Sequence, residues 1–159
     1  MEDKITIERI SKAHPKIKNE LLNLYLECNK KLPKNVRLRF AYVFRSPEEQ
    51  RKLFLQMPKV TNADSWQSIH NYGLAFDIVL LYDKNGDGTF ESASWANDKN
   101  WQFVVSFFKA AGYEWGGDWK KFKDAPHFQK AFGYDWRKLK NLIDKKITIF
   151  DNGILYPKI

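Results

Sequence analysis

The spacing of apolar residues changes period several times along the chain, and each change marks an element. Ile17, Leu21, Leu24, Tyr25, Cys28 and Leu32 recur at helical spacing and Pro15 suits a first helical turn, which predicts a helix to about Lys31 with Cys28 facing inward. Residues 36–44, VRLRFAYVF, alternate in the manner of a strand that delivers Arg45 to a junction. Ser46-Pro47-Glu48-Glu49 then sets a capping hydroxyl, a first-turn proline and a capping-box glutamate in order, so a second helix starts there and runs through Leu53 and Phe54. Residues 57–73 are polar and rich in turn formers, which predicts an ordered loop.

Residues 74–82, LAFDIVLLY, read as a buried strand by length and apolar content. DKNGDG at 83–88 is a turn, and Asn97 or Asp98 can cap a helix that turns Trp101, Val104, Val105, Phe108 and Ala111 inward and ends at Gly112. Gly116-Gly117 between Trp115 and Trp119 signals a hairpin, and His127-Phe128-Gln129 extends the sheet after Pro126. A short helix over about 135–145 and a terminal hairpin around Asp151-Asn152-Gly153 complete the pattern. Strands clustered with helices, without a strict βαβ rhythm, predict an α+β fold with a small, mostly antiparallel sheet. No linker, repeat or low-complexity tract divides the sequence, so residues 1–159 are read as one domain.

Composition narrows the class. With 43% apolar and 29% charged residues the chain can bury one core, which sets aside disordered and collagen-like readings. A net charge of +8 implies attraction to anionic polymers: nucleic acid, an acidic cell wall or a membrane surface. The single cysteine, Cys28, cannot form an intrachain disulfide. No apolar run approaches the roughly 20 residues that span a bilayer. The opening MEDKITIERISKAHP scatters charges where a secretory signal would be apolar, so synthesis without a signal peptide is expected.

The chemistry starts from an anomaly. Asp77 stands among Phe76, Ile78, Val79 and Leu80, where a carboxylate must be paired or metal-bound. His70 precedes it, and Gly73 between them permits a bend that brings both side chains to one point. His127, with Asp124 shortly before it, supplies a second imidazole. Two imidazoles and one carboxylate leave a fourth position free, as in catalytic rather than closed structural zinc sites.

These segments carry a resemblance. Ser68, His70, Gly73, Ala75 and Asp77 meet the pattern Ser-x-His-x-x-Gly-x-Ala-x-Asp, and Asp124 stands three residues before His127. Over about residues 36–129 the sequence resembles the peptidoglycan metallopeptidases that include L-alanyl-D-glutamate endolysins and D-alanyl-D-alanine carboxypeptidases and dipeptidases. The resemblance implies a hedgehog- or DD-peptidase-like fold with helices mainly on one side of the sheet. It implies His70, Asp77 and His127 as Zn2+ ligands, Asp124 as general base, and Arg45 as the cation that stabilises an oxyanion or holds a substrate carboxylate. The Trp-Gly-Gly-Asp-Trp segment at 115–119 looks closest to the L-alanyl-D-glutamate endopeptidases, and the dipeptidase branch typically has Glu where Asp124 stands. The implied activity is zinc-dependent hydrolysis of the peptidoglycan stem peptide at the L-Ala-D-Glu bond by a monomeric endolysin or autolysin. Such an enzyme works at the bacterial wall, after phage-mediated release if it has no leader, and anionic wall polymers are further expected partners.

Plainer readings compete at several positions. His14, beside Pro15, reads as a packed or capping histidine. Arg45 can instead cap a sheet edge or pair with Glu49, and Ser68 is either a turn residue or a hydrogen-bond partner of a ligand. Glu114 and Asp118 read as solvated hairpin charges and are left out of the site. Asp83-Lys84-Asn85-Gly86-Asp87-Gly88 matches half a calcium loop, but Ser94 stands where a bidentate glutamate is required, which favours a simple turn. Most of the six tryptophans are expected in the core. The competing functions are D-alanyl-D-alanine carboxypeptidase or dipeptidase activity and a non-catalytic zinc-containing wall-binding module, against which Asp124 argues. Nucleic-acid binding, supported by charge alone, is not expected.

Overall fold

A computed structural model describes residues 2–159. Its elements are α1 (Lys4–Ile10), α2 (Pro15–Lys31), β1 (Val36–Tyr42), α3 (Pro47–Leu55), β2 (Ala75–Tyr82), β3 (Ser92–Ser94), α4 (Lys99–Ala110), β4 (Glu114–Trp115), β5 (His127–Gln129), α5 (Trp136–Asp144), β6 (Thr148–Asp151) and β7 (Ile154–Pro157). The main sheet runs β1-β2-β5-β4, every pair antiparallel. β3 pairs with the far end of β2, and β6 and β7 form a separate hairpin. This is the expected α+β class.

Alternation along the strands decides what the sheet's two faces carry. Leu38 and Phe40 of β1, Phe76, Ile78 and Leu80 of β2, and Phe128 of β5 are fully buried in a core with Tyr25 of α2 and Trp101, Val104 and Phe108 of α4. Phe76 is stacked between Phe40 and Phe128, at ring-centroid distances of 4.2 and 5.2 Å. Each such ring stabilises the fold by about 1.5–3 kcal/mol. The alternate positions, Asp77, His127 and Gln129, consequently fall on the opposite face. Asp77 keeps 19% side-chain exposure, so its strand is apolar on one face and opens to solvent at that point on the other.

Local signals account for most of the boundaries. His14 caps α2, Ser46 and Glu49 form the capping box of α3, and Asp98 and Asp135 cap α4 and α5. Cys28 is buried in the core. At the start of the chain, the Asp3 carboxylate holds Arg39 through two 2.9 Å bonds and accepts from Thr6 at 2.6 Å, which ties α1 to β1.

Three expectations need correction. β1 ends at Tyr42 rather than 44, because a bulge after Phe40 sets Tyr42 against Asp77 and turns the chain out of the ladder. The 57–73 loop contains a 3-10 turn, Ile69–Tyr72, capped by Ser68 and ended by Gly73 at φ 70°. Gly116-Gly117 is no tight hairpin turn: it belongs to a second 3-10 turn, and β4 reaches β5 only after the long excursion through Asp124. Of the tryptophans, Trp101 is fully buried, whereas Trp95 is 58% exposed. Among the described residues no helix is long and apolar enough to cross a membrane.

Candidate metal centre

Three elements bring His70, Asp77 and His127 to one point. Asp77 of β2 is the direct cross-strand partner of His127 on β5. His70 arrives from the 3-10 turn, which is fastened to the segment after β1 by hydrogen bonds. The Arg45 amide donates to the His70 carbonyl at 3.1 Å, Asn71 Nδ2 donates to the Arg45 carbonyl at 2.9 Å, and His70 Nδ1 donates to the Val43 carbonyl at 2.7 Å. Gly73 is required beside this turn. A Cβ there would stand 2.6 Å from the His14 amide nitrogen, on a backbone with positive φ.

The geometry of the triad is that of a cation socket. Asp77 Oδ1 lies 3.1 Å from His70 Nε2 and 3.1 Å from His127 Nδ1. The remote nitrogen of each ring is engaged elsewhere: His70 Nδ1 with Val43, and His127 Nε2 with Gln129 Oε1 at 2.7 Å. In neutral rings with those tautomers, both inward nitrogens carry lone pairs aimed at a carboxylate that has no proton to give. The ligand atoms lie within 4.8 Å of one another. Both histidine rings are buried, and two imidazole nitrogens with a carboxylate suit a borderline divalent ion. The donor set therefore fits a metal ion.

Electrostatics agree with the geometry. Burial alone would raise the Asp77 pKa, but the charge of His70 and hydrogen bonds with both histidines hold it well below the usual carboxylate range. Burial disfavours the charged form of His127, yet the bond and charge of Asp77, helped by Gln129, raise its pKa above the ordinary value.

A groove of about 950 Å³ opens onto this point, lined among others by Tyr42, Arg45, Trp119, Phe122 and Asp124. Asp124 reaches solvent in the groove. Partial desolvation raises its pKa, the negative Asp77 adds to the rise, and His127, His70 and Arg45 oppose it. Its backbone is pinned, since the Asp124 amide donates to Gly116 at 3.0 Å and its carbonyl accepts from the His127 amide at 3.1 Å. Arg45 Nη2 stands 3.9 Å from Asp77 Oδ2, and its guanidinium lies 4.8 Å from the Tyr42 ring centroid. Arg45 does not pair with Glu49, whose carboxylate accepts from the Ser46 amide in the helix cap. Its Nη1 instead donates to Gln50 at 3.0 Å, and Gln50, fully buried, donates to the Ala63 carbonyl at 2.7 Å.

Sequence reading missed Gln50 and Gln129 and set Glu114 aside as a solvated hairpin charge, whereas it bonds to Gln129 and Trp119 beside the site. The two uncharged glutamines gave no chemical signal, although Gln129 shares the parity of His127 on β5 and so had to share its face. Ser68 caps the 3-10 turn through the His70 amide at 3.3 Å rather than through the ring. Asp83, Asp87 and Glu91 form a second carboxylate group, but Asp83 accepts the Gly86 and Gly88 amides and Asp87 accepts the Thr89 amide, as an ordinary turn requires.

Residues 61–130, which contain the triad and Asp124, match the family described as D-alanyl-D-alanine carboxypeptidase. The peptidoglycan L-alanyl-D-glutamate endopeptidase CwlK of Bacillus subtilis (strain 168) is 41% identical over 98 residues, covering 54% of this chain and 56% of that protein. The L-alanyl-D-glutamate peptidase of Listeria phage A118 is 37% identical over 76 residues, 46% of this chain and 25% of that protein. The chain thus spans about half of one curated relative and a quarter of the other. The crystal structure of the Serratia marcescens L-Ala D-Glu endopeptidase ChiX superposes with a TM-score of 0.58 at 25% identity, over 80% of this chain and 87% of that one. In sequence and in fold, the chain resembles the peptidoglycan L-alanyl-D-glutamate endopeptidases and D-alanyl-D-alanine carboxypeptidases to which its two histidine motifs point.

Proposed function

We propose that the chain is a zinc peptidase that hydrolyses the stem peptide of peptidoglycan at the L-Ala-D-Glu bond. The observation that carries this reading is the convergence of three lone-pair atoms, His70 Nε2, His127 Nδ1 and Asp77 Oδ1, beside a free carboxylate in an open groove. The names of the relatives support the choice of bond.

In this reading His70, Asp77 and His127 hold Zn2+, which when bound supplies Lewis acidity and an activated water near neutral pH. Asp124 accepts the proton of the attacking water, and its raised pKa suits it to return that proton to the leaving amine. Arg45, braced by Gln50, presents fixed positive charge to the oxyanion or to a carboxylate of the substrate. The reading takes residues 1–159 as one catalytic unit acting as a monomer at the bacterial wall, where its surplus positive charge favours anionic wall polymers.

The test is mass analysis of defined muropeptides after incubation with zinc-loaded wild type, Asp124→Ala and a chelated sample. The expected result is a new D-glutamyl amino terminus, absent from both controls. Release of D-alanine would move the enzyme to the carboxypeptidase branch, and binding without cleavage would make it a recognition module.

A further inference from the structure

We propose that Gln129 and Glu114 are positioning residues that fix the tautomer and orientation of His127 and so set the affinity of the site for its metal; this rests on the metal-centre reading above.

Glu114 on β4 is the cross-strand partner of Gln129 on β5, and Gln129 stands two residues beyond His127 on the same face. Gln129 Nε2 donates to Glu114 Oε2 at 2.9 Å, and Gln129 Oε1 accepts from His127 Nε2 at 2.7 Å. The other Glu114 oxygen accepts from Trp119 Nε1 at 2.8 Å, and the Trp119 ring centroid lies 5.3 Å from that of His127. One carboxylate therefore anchors both groups that hold the His127 ring.

The direction of the chain follows from its outer end. An ionised carboxylate only accepts, so Gln129 must turn its NH2 group toward Glu114 and its carbonyl toward His127. That carbonyl also only accepts, so the proton of a neutral His127 must sit on Nε2 and leave the Nδ1 lone pair facing Asp77. His70 needs no such device, because the Val43 backbone carbonyl fixes its tautomer and no side-chain substitution removes it. His127 is the ligand whose state depends on replaceable side chains. Hydrogen-bond partners of this kind typically change metal affinity by about 10–100-fold when removed.

The experiment measures zinc dissociation constants by chelator competition, together with imidazole 15N shifts of His127 in the metal-free protein. Gln129→Ala is expected to weaken zinc by about tenfold and to convert a single Nε2–H tautomer into a mixture. Gln129→Glu combined with Glu114→Gln keeps an acceptor for His127 and a donor–acceptor link between the strands, and is expected to recover most of the affinity. Glu114→Ala should weaken zinc in the same direction, and adding it to Gln129→Ala should cost less than it does alone, since the route through Gln129 is already broken and only the one through Trp119 remains. Glu114 is exposed, so its variant reports even where Gln129→Ala fails to fold. Wild-type zinc affinity and an unchanged tautomer in the variants, or losses that simply add, would overturn the proposal. A wild type that binds no zinc would overturn the metal-centre reading instead, while the tautomer measurement still decides the positioning role.

Discussion

Asp77 and His127 face each other across β2 and β5, and a single oxygen of Asp77 sits 3.1 Å from His127 Nδ1 and 3.1 Å from His70 Nε2. Strand pairing brings Asp77 to His127, and the 3-10 turn Ile69–Tyr72 brings His70 to both. The site is built by the fold and stabilised by the Phe40-Phe76-Phe128 stack on the other face of the same strands. Its inward lone pairs call for a cation, and the consequences can be measured.

Zinc should stabilise the protein as well as activate it. At free zinc one hundred times the dissociation constant, binding to the folded state alone contributes about 2.7 kcal/mol. For a chain of this size that raises the thermal midpoint by roughly 5–10 °C. Differential scanning fluorimetry with and without zinc should show this shift in wild type and lose it in His70→Ala. Chelation should abolish peptidase activity, and added zinc should restore it.

Asp124→Asn separates proton transfer from metal binding. It removes the proposed proton acceptor while leaving His70, Asp77 and His127 in place, so kcat should fall by about 10²–10⁴-fold. Zinc affinity, measured by chelator competition, should stay within a few-fold of wild type. A parallel collapse of both would make Asp124 a ligand.

Gly116 is required by the backbone of Asp124. A Cβ at Gly116 would stand 2.4 Å from the Asp124 carbonyl oxygen and 3.1 Å from its Cβ, and the carbonyl is main chain with no flexible end to move. Gly116→Ala should therefore destabilise by about 1–3 kcal/mol in urea titration. It should also lower kcat more than it lowers zinc affinity, because the displaced group is the proposed base.

His14 makes stability depend on pH far from the site. Its Nδ1 accepts from the Lys16 amide at 3.0 Å, a contact that needs the neutral ring, while its Nε2 donates to the Pro157 carbonyl at 2.7 Å, a bond that survives protonation. Burial pushes its pKa below the ordinary 6.5, and Lys16 adds to the fall, against the opposing bond to Pro157. Protons then bind the unfolded chain first as pH drops. This contribution is complete above about 6.5 and is lost as pH falls through the lowered folded value. Thermal midpoints from pH 8 to 5 should decline in wild type and decline less in His14→Gln.

The sequence made Asp77 conspicuous because a carboxylate in an apolar run breaks the pattern, and the two histidines stood at spacings that a bend and a strand pair can close. Helix starts were equally legible, since Ser46, Asp98 and Asp135 act through local bonds. What depended on long-range packing was not. Gly116 and Gly117 looked like turn formers, but they are glycines because Asp124 and the Trp115 ring occupy the space where side chains would go. Gln50 and Gln129 looked like neutral polar surface, and their roles emerge only once Arg45 and His127 lie beside them. The β1 bulge, which turns Val43 and Arg45 toward the site, leaves no residue-type signature in the alternating pattern.

The central claim is that His70, Asp77 and His127 together hold a divalent metal. Anomalous diffraction at the zinc edge from zinc-loaded crystals tests it most directly. The account predicts one strong peak about 2.0–2.2 Å from His70 Nε2, His127 Nδ1 and an Asp77 carboxylate oxygen. A triad with no peak in zinc-saturated crystals, or a peak held by other residues, would contradict it.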